Sequence, residues 1–161
     1  MKFKKIELAR QTNFILALLF IHFIFFGYLS NVYFKDIGEN VMFLYKVMFS
    51  PESYLSTIIL FGIVFLMAFR ERFFEYGIKN SIWLIPFIMG MSWIWYWFIS
   101  LQIDAVNIFD IFIIIGGYFL RIEAYITILS LLGVNLVASV LASIARVQYN
   151  TRLDRIKKIE V

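Results

Sequence analysis

Apolar residues in this chain collect into long uncharged runs separated by short charged clusters. Four such runs cover residues 11–34, 53–69, 80–103 and 124–145. Each comes close to or exceeds the roughly 20 apolar residues that let a helix cross ~30 Å of hydrocarbon. The pattern predicts an all-α integral membrane protein with transmembrane helices over residues 13–31, 53–69, 81–102 and 124–146.

A fifth apolar stretch, residues 111–120, lies between Asp110 and Arg121. As a helix it would cover only ~15 Å, and a crossing would carry one of those charges into the hydrocarbon. Asn107, Asp110, Gly117 and Arg121 recur at helical spacing and fall on one stripe. The segment 104–121 is therefore expected to be an amphipathic helix at the interface, or a re-entrant segment broken at Gly116-Gly117.

Composition supports this picture. Of 161 residues, 62% are hydrophobic, 20% aromatic and 16% charged, with a mean hydropathy of +0.84. A soluble domain of this size buries only about 70% of the surface its chain exposes, too little to hide so much apolar area. An ordinary soluble enzyme, a disordered chain and a disulfide-stapled secreted module are excluded. The whole chain, 1–161, reads as a single membrane domain.

Charge sets the expected orientation. Four spans put both ends and the connection after the second run on one side. That side holds Lys2, Lys4, Lys5, Arg10, Arg70, Arg72, Lys79, Arg146, Arg152, Arg155, Lys157 and Lys158. The other side keeps Lys35, Lys46 and Arg121. Basic short loops stay cytoplasmic, so both termini are expected inside, in a prokaryotic inner (plasma) membrane. The first run is longer than a signal-peptide core, and Phe25, Phe26 and Tyr28 stand where a cleavage site needs small residues. It reads as an uncleaved span.

Trp93, Trp95, Tyr96, Trp97 and Phe98 crowd one end of the third run and Trp83 marks the other. Interfacial anchoring is the first reading of this pattern; a stacking platform for a ring-shaped ligand would use the same residues. Pro86 is expected in the first turns of that helix, where a missing N–H matters least.

His22, the sole histidine, falls near the middle of the first span. An ionisable group at that depth invites a functional role. No carboxylate lies within the four runs to build a proton relay, and haem would lack a second histidine, so a neutral imidazole bonded to a neighbouring helix is expected.

The fourth span differs from the rest. It carries Gly133, Asn135, Ala138, Ser139, Ala142 and Ser143, whose small-x-x-x-small spacing allows close helix approach. Those residues suit packing within the chain's own bundle or docking onto another membrane subunit. Beyond it, the tail 147–161 continues the helical pattern: Tyr149, Leu153 and Ile156 share a face opposite basic residues. Arg146, Arg152, Arg155, Lys157 and Lys158 are candidate contacts for anionic lipid, worth roughly 1 kcal/mol each near the surface. The net charge of +4 is thereby an orientation signal, and nucleic acid is not an expected partner.

Other chemistry finds little support. With no cysteine and one histidine, neither a thiolate centre nor a transition-metal site is expected, and no cofactor. Gly116-Gly117 lacks the residues of a phosphate loop, and no nucleophile–histidine–acid pattern exists. Asp104, Asp110 and Glu123, on the outer face with Arg121, could supply an acid pair, though solvated interface charges are commoner. The two halves of the chain do not repeat, which leaves inverted-repeat transport unsupported, while a homo-oligomer remains open.

No whole-chain family is recognised. The exit of the last span, Ala145-Arg146-Val147-Gln148-Tyr149-Asn150-Thr151-Arg152, resembles the end of the small accessory subunit of bacterial poly-N-acetylglucosamine synthases. There an alanine, an aromatic-Asn pair and a basic cluster follow the final span. The likeness is confined to this stretch, Val147-Gln148 interrupts it, and this chain has more spans, so no residue roles carry over.

The sequence thus points first to a small non-catalytic membrane subunit, acting in assembly or scaffolding. A homo-oligomeric transporter or channel is the alternative, and an accessory subunit of an envelope polysaccharide synthase is another. A membrane enzyme, with Asp104, Asp110 and Glu123 lining a site, ranks behind these.

Overall fold

A computed structural model describes residues 2–27, 43–49, 53–71, 73–100 and 108–159. It is all-α. Six α-helices occur among the described residues: α1 (Lys2–Phe20), α2 (Phe43–Phe49), α3 (Ser53–Arg70), α4 (Phe74–Ser100), α5 (Ile108–Phe119) and α6 (Ile122–Ile159). A π-helical segment, Ile21–Phe26, follows α1 directly.

The helices form because apolar side chains recur at helical spacing, and the same spacing decides which face is covered. On α3 the buried positions are Ser56, Leu60, Ile63, Val64, Met67 and Ala68, while Tyr54, Leu55, Ile58 and Leu66 point outward. On α4 Ser81, Leu84, Ile85, Ile88, Met89 and Ser92 are buried. Both sets follow the i, i+3, i+4, i+7 rule of a helix stripe. The most extensive packing joins α6 to α3, followed by α6 to α4, so α6 is the spine of the bundle. The π-helical segment adds Ile21, Phe25 and Phe26 to the core, and α2 adds Leu44 and Val47.

One helix among the described residues, Ile122–Leu153, is long and apolar enough to cross a membrane. Only 28% of its most apolar window is buried, whereas the core helix of a soluble protein is mostly covered. Gln11–Phe26 and Tyr54–Arg70 are shorter apolar helices. Residues 28–31 and 101–102 of the expected first and third spans lie outside the described residues.

Three local expectations change. Helix α4 starts at Phe74, so Pro86 stands in its interior rather than in its first turns, and the Ile82 carbonyl receives no N–H from it. Gly116-Gly117 does not break the chain: α5 runs through both, and neither has positive φ. The break falls at Leu120 and Arg121 instead, where Arg121 N–H donates to Tyr118 O at 3.1 Å and Ala124 N–H to Arg121 O at 3.2 Å. Arg121 thus leaves the stripe predicted for it with Asp110 and Gly117, and Asn107 lies outside the described residues.

The tail continues as a helix, the form its sequence pattern predicts. No break separates the last apolar run from the basic residues, because α6 is one helix of 38 residues. At 1.5 Å per residue it is about 57 Å long, nearly twice the hydrocarbon thickness.

Candidate functional site

Three polar junctions between helices are the candidates, and each starts from a side chain whose position its helix fixes. The first surrounds His22. In the π-helical segment the turn widens, and Gly27 N–H donates to His22 O five residues back. Segments of this kind are frequent at functional sites. Trp95 Nε1–H donates to His22 Nδ1 at 3.3 Å, leaving the ring proton of a neutral imidazole on Nε2. The Trp95 ring lies 5.4 Å from the imidazole and nearly parallel to Phe26, at 15°. Phe23 meets His22 edge-on at 4.9 Å. His22 is therefore half-buried among aromatic rings, held by one hydrogen bond from α4.

The tryptophans expected at the interface divide. Trp83 is 56% exposed, as an anchor would be. Trp93 and Trp95 turn inward: Trp93 packs edge-on against Tyr118 and Phe119, and Trp95 covers His22. The side chains of Tyr96, Trp97 and Phe98 lie outside the described residues.

The second junction is the small-residue face of α6. Asn135, Ala138, Ser139 and Ala142 are fully buried, and Ser143 is half-buried. Asn135 Nδ2 donates to the Ser81 carbonyl on α4 at 2.9 Å, while its buried Oδ1 has no hydrogen-bond partner. Ser139 and Ser143 return their hydroxyls to the carbonyls of Asn135 and Ser139. Gly133 is not part of this face: it is exposed, and a Cβ there would meet nothing within 4 Å. The close approach that small residues permit is thus used between α6 and the chain's own α3 and α4.

The third junction went unnoticed in the sequence. Glu71, directly after α3, is only 5% exposed. Its Oε1 accepts hydrogen bonds from Asn13 Nδ2 on α1 and Asn80 Nδ2 on α4, both at 3.3 Å. A signal was available: a carboxylate at a helix C-terminus opposes the helix dipole, so its placement there needs another cause. A cavity of about 400 Å³ adjoins it, lined also by Phe74, Ser143, Ile144, Arg146, Gln148 and Asn150.

The remaining candidates do not converge. Arg152 and Arg155 are exposed on α6, and the side chains of Lys157 and Lys158 lie outside the described residues. Glu123 is half-buried in the first turn of α6, and Arg121 is exposed in the bend. Asp104 and the Asp110 side chain lie outside the described residues. Among the described residues no group of three or more His, Cys, Asp or Glu could hold a metal ion. No family model, curated protein or solved structure matches the chain.

Proposed function

We propose that the chain is an integral membrane protein with spans over residues 13–31, 53–69, 81–102 and 124–146 and both ends in the cytoplasm, acting as a small non-catalytic subunit in the assembly of a larger membrane complex. The observation that carries this reading is where polar and apolar groups point. Trp95 meets His22, Asn135 meets Ser81, and Asn13 and Asn80 meet Glu71, so polar side chains fasten one helix to the next. Such interhelix bonds are glue in a medium that offers no water. Large apolar residues face outward: Phe23, Leu129, Val137 and Ile144 are each at least about half exposed.

The continuous α6 supports a subunit role as well. A helix unbroken from Ile122 to Ile159 does not both cross a bilayer and lie along its surface. Its last turns, with Leu153 and Ile156 exposed beside basic residues, stand off the membrane where a cytoplasmic partner can reach them. Extraction in a mild detergent, followed by size analysis and identification of co-purifying proteins, is the test. Recovery of a free monomer alone would defeat the reading.

A homo-oligomeric transporter is the second reading, favoured by the π-helical turn at His22. It requires flux through the purified protein in liposomes, and a flux that changes in His22→Ala.

A further inference from the structure

We infer that the cavity between Glu71, the start of α4 and the Ser143-to-Asn150 stretch of α6 binds a phosphate oxyanion, and that Arg146 is its principal ligand. This rests on the membrane reading above only for the source of the phosphate. The Arg146 side chain lines the cavity, and its Nη1 is buried without a hydrogen-bond partner. A guanidinium nitrogen withdrawn from water and left without an acceptor is unfavourable, and a turn of the guanidinium toward an oxyanion in the cavity would supply what is lacking. Gln148 and Asn150 are exposed at the same cavity and carry amide N–H donors.

Glu71 determines where in the cavity an anion can sit. Its Oε1 accepts from Asn13 and Asn80, which are not among the cavity's lining residues, so the carboxylate is engaged by helices α1 and α4. Its negative charge keeps a phosphate at the α6 side, against Arg146. The other walls are apolar: Phe74, Ile144 and Val147 would accommodate the glycerol and upper acyl carbons of a phospholipid. Arg146 is also the first charge after the uncharged run 124–145, which places it at headgroup depth in the four-span arrangement. Arg152 and Arg155, by contrast, lie one and a half or more turns further along an unbroken helix.

The test uses the full chain purified in an uncharged maltoside detergent. Retention of phosphatidylglycerol and of diacylglycerol is measured by native mass spectrometry, with inorganic phosphate as competitor. The wild type should retain phosphatidylglycerol and not diacylglycerol. Arg146→Gln should weaken retention at least about tenfold, the scale of one charge-assisted hydrogen bond. The Arg152→Gln/Arg155→Gln pair should leave it unchanged. Gln148→Trp, which fills the cavity mouth from an exposed position, should reproduce the loss if Arg146→Gln fails to fold. Displacement by millimolar inorganic phosphate would make a soluble phosphate the ligand, and resistance to it would make the lipid the ligand; both support the site. Equal retention by wild type, Arg146→Gln and Gln148→Trp would overturn it, as would equal binding of diacylglycerol. Extraction of cell membranes with alkaline carbonate separates the two claims, because release of the chain sinks the four-span reading whatever the phosphate result.

Discussion

Trp95 on α4 reaches across to His22 on the π-helical segment, donating its indole N–H to Nδ1 at 3.3 Å over a sequence separation of 73 residues. The bond joins the helix that starts the chain to the aromatic end of α4. In a double-mutant cycle of His22→Phe and Trp95→Phe, the coupling should be about 0.6 kcal/mol and below about 1.7 kcal/mol, the range of interhelix hydrogen bonds in membranes. Thermal unfolding in detergent reads it. Strictly additive losses would show that the bond contributes nothing.

The same pair shows what the sequence makes legible. Runs without charge reveal the helices, since span length and charge spacing are local quantities. That Ala138, Ser139 and Ala142 form a contact face is equally local. Partners are different: nothing near His22 in the chain announces Trp95, and nothing near Glu71 announces Asn13, 58 residues away. The sequence leaves open, for a related reason, whether residues 104–121 form one helix or a segment broken at Gly116-Gly117. Glycines are taken as breakers, yet at Gly116-Gly117 the helix continues and the turn forms at Leu120 and Arg121.

The Glu71 junction separates hydrogen bonding from charge. Glu71→Ala removes the acceptor shared by Asn13 and Asn80 and should destabilise the protein by about 1–3 kcal/mol. Glu71→Gln keeps an acceptor oxygen at the same place and should cost clearly less. Unfolding midpoints measured side by side decide it; equal losses would mean that the charge, not the acceptor, holds the junction.

On α6, position within the small-residue set should govern the outcome. Ala138→Leu and Ala142→Leu overfill a fully buried face and should each cost about 1–3 kcal/mol. Gly133→Leu enters open space and should leave the isolated chain's stability within about 0.5 kcal/mol. If Gly133→Leu nevertheless abolishes co-purification of a partner, the exposed side of α6 is the docking face. A large stability loss in Gly133→Leu would contradict the packing described.

Tyr118, at the end of α5 and outside the four proposed spans, should respond to alkali. Burial pushes its hydroxyl above the ordinary value of 10.0, and a hydrogen bond with Thr127 offsets part of that rise. A folded-state value above the unfolded one means that its contribution is complete below pH 10 and disappears as pH climbs through the folded value. Tyr118→Phe should therefore flatten the alkaline limb of the stability curve. An unchanged limb would show that Tyr118 is not the group that titrates there.

The arrangement of α6 makes the topology testable at two positions. The chain has no cysteine, so single-cysteine variants carry one reactive thiol each. Leu120, 89% exposed in the turn before α6, and Arg155, exposed near its far end, are separated by about 50 Å of nearly continuous helix. That distance exceeds the full ~40–45 Å bilayer with its headgroups. In intact cells a membrane-impermeant maleimide should label Leu120→Cys and spare Arg155→Cys until the membrane is opened. Labelling of Arg155→Cys from outside would place the basic tail on the wrong side and refute the proposed orientation. Labelling of both from one side would show that α6 does not cross at all.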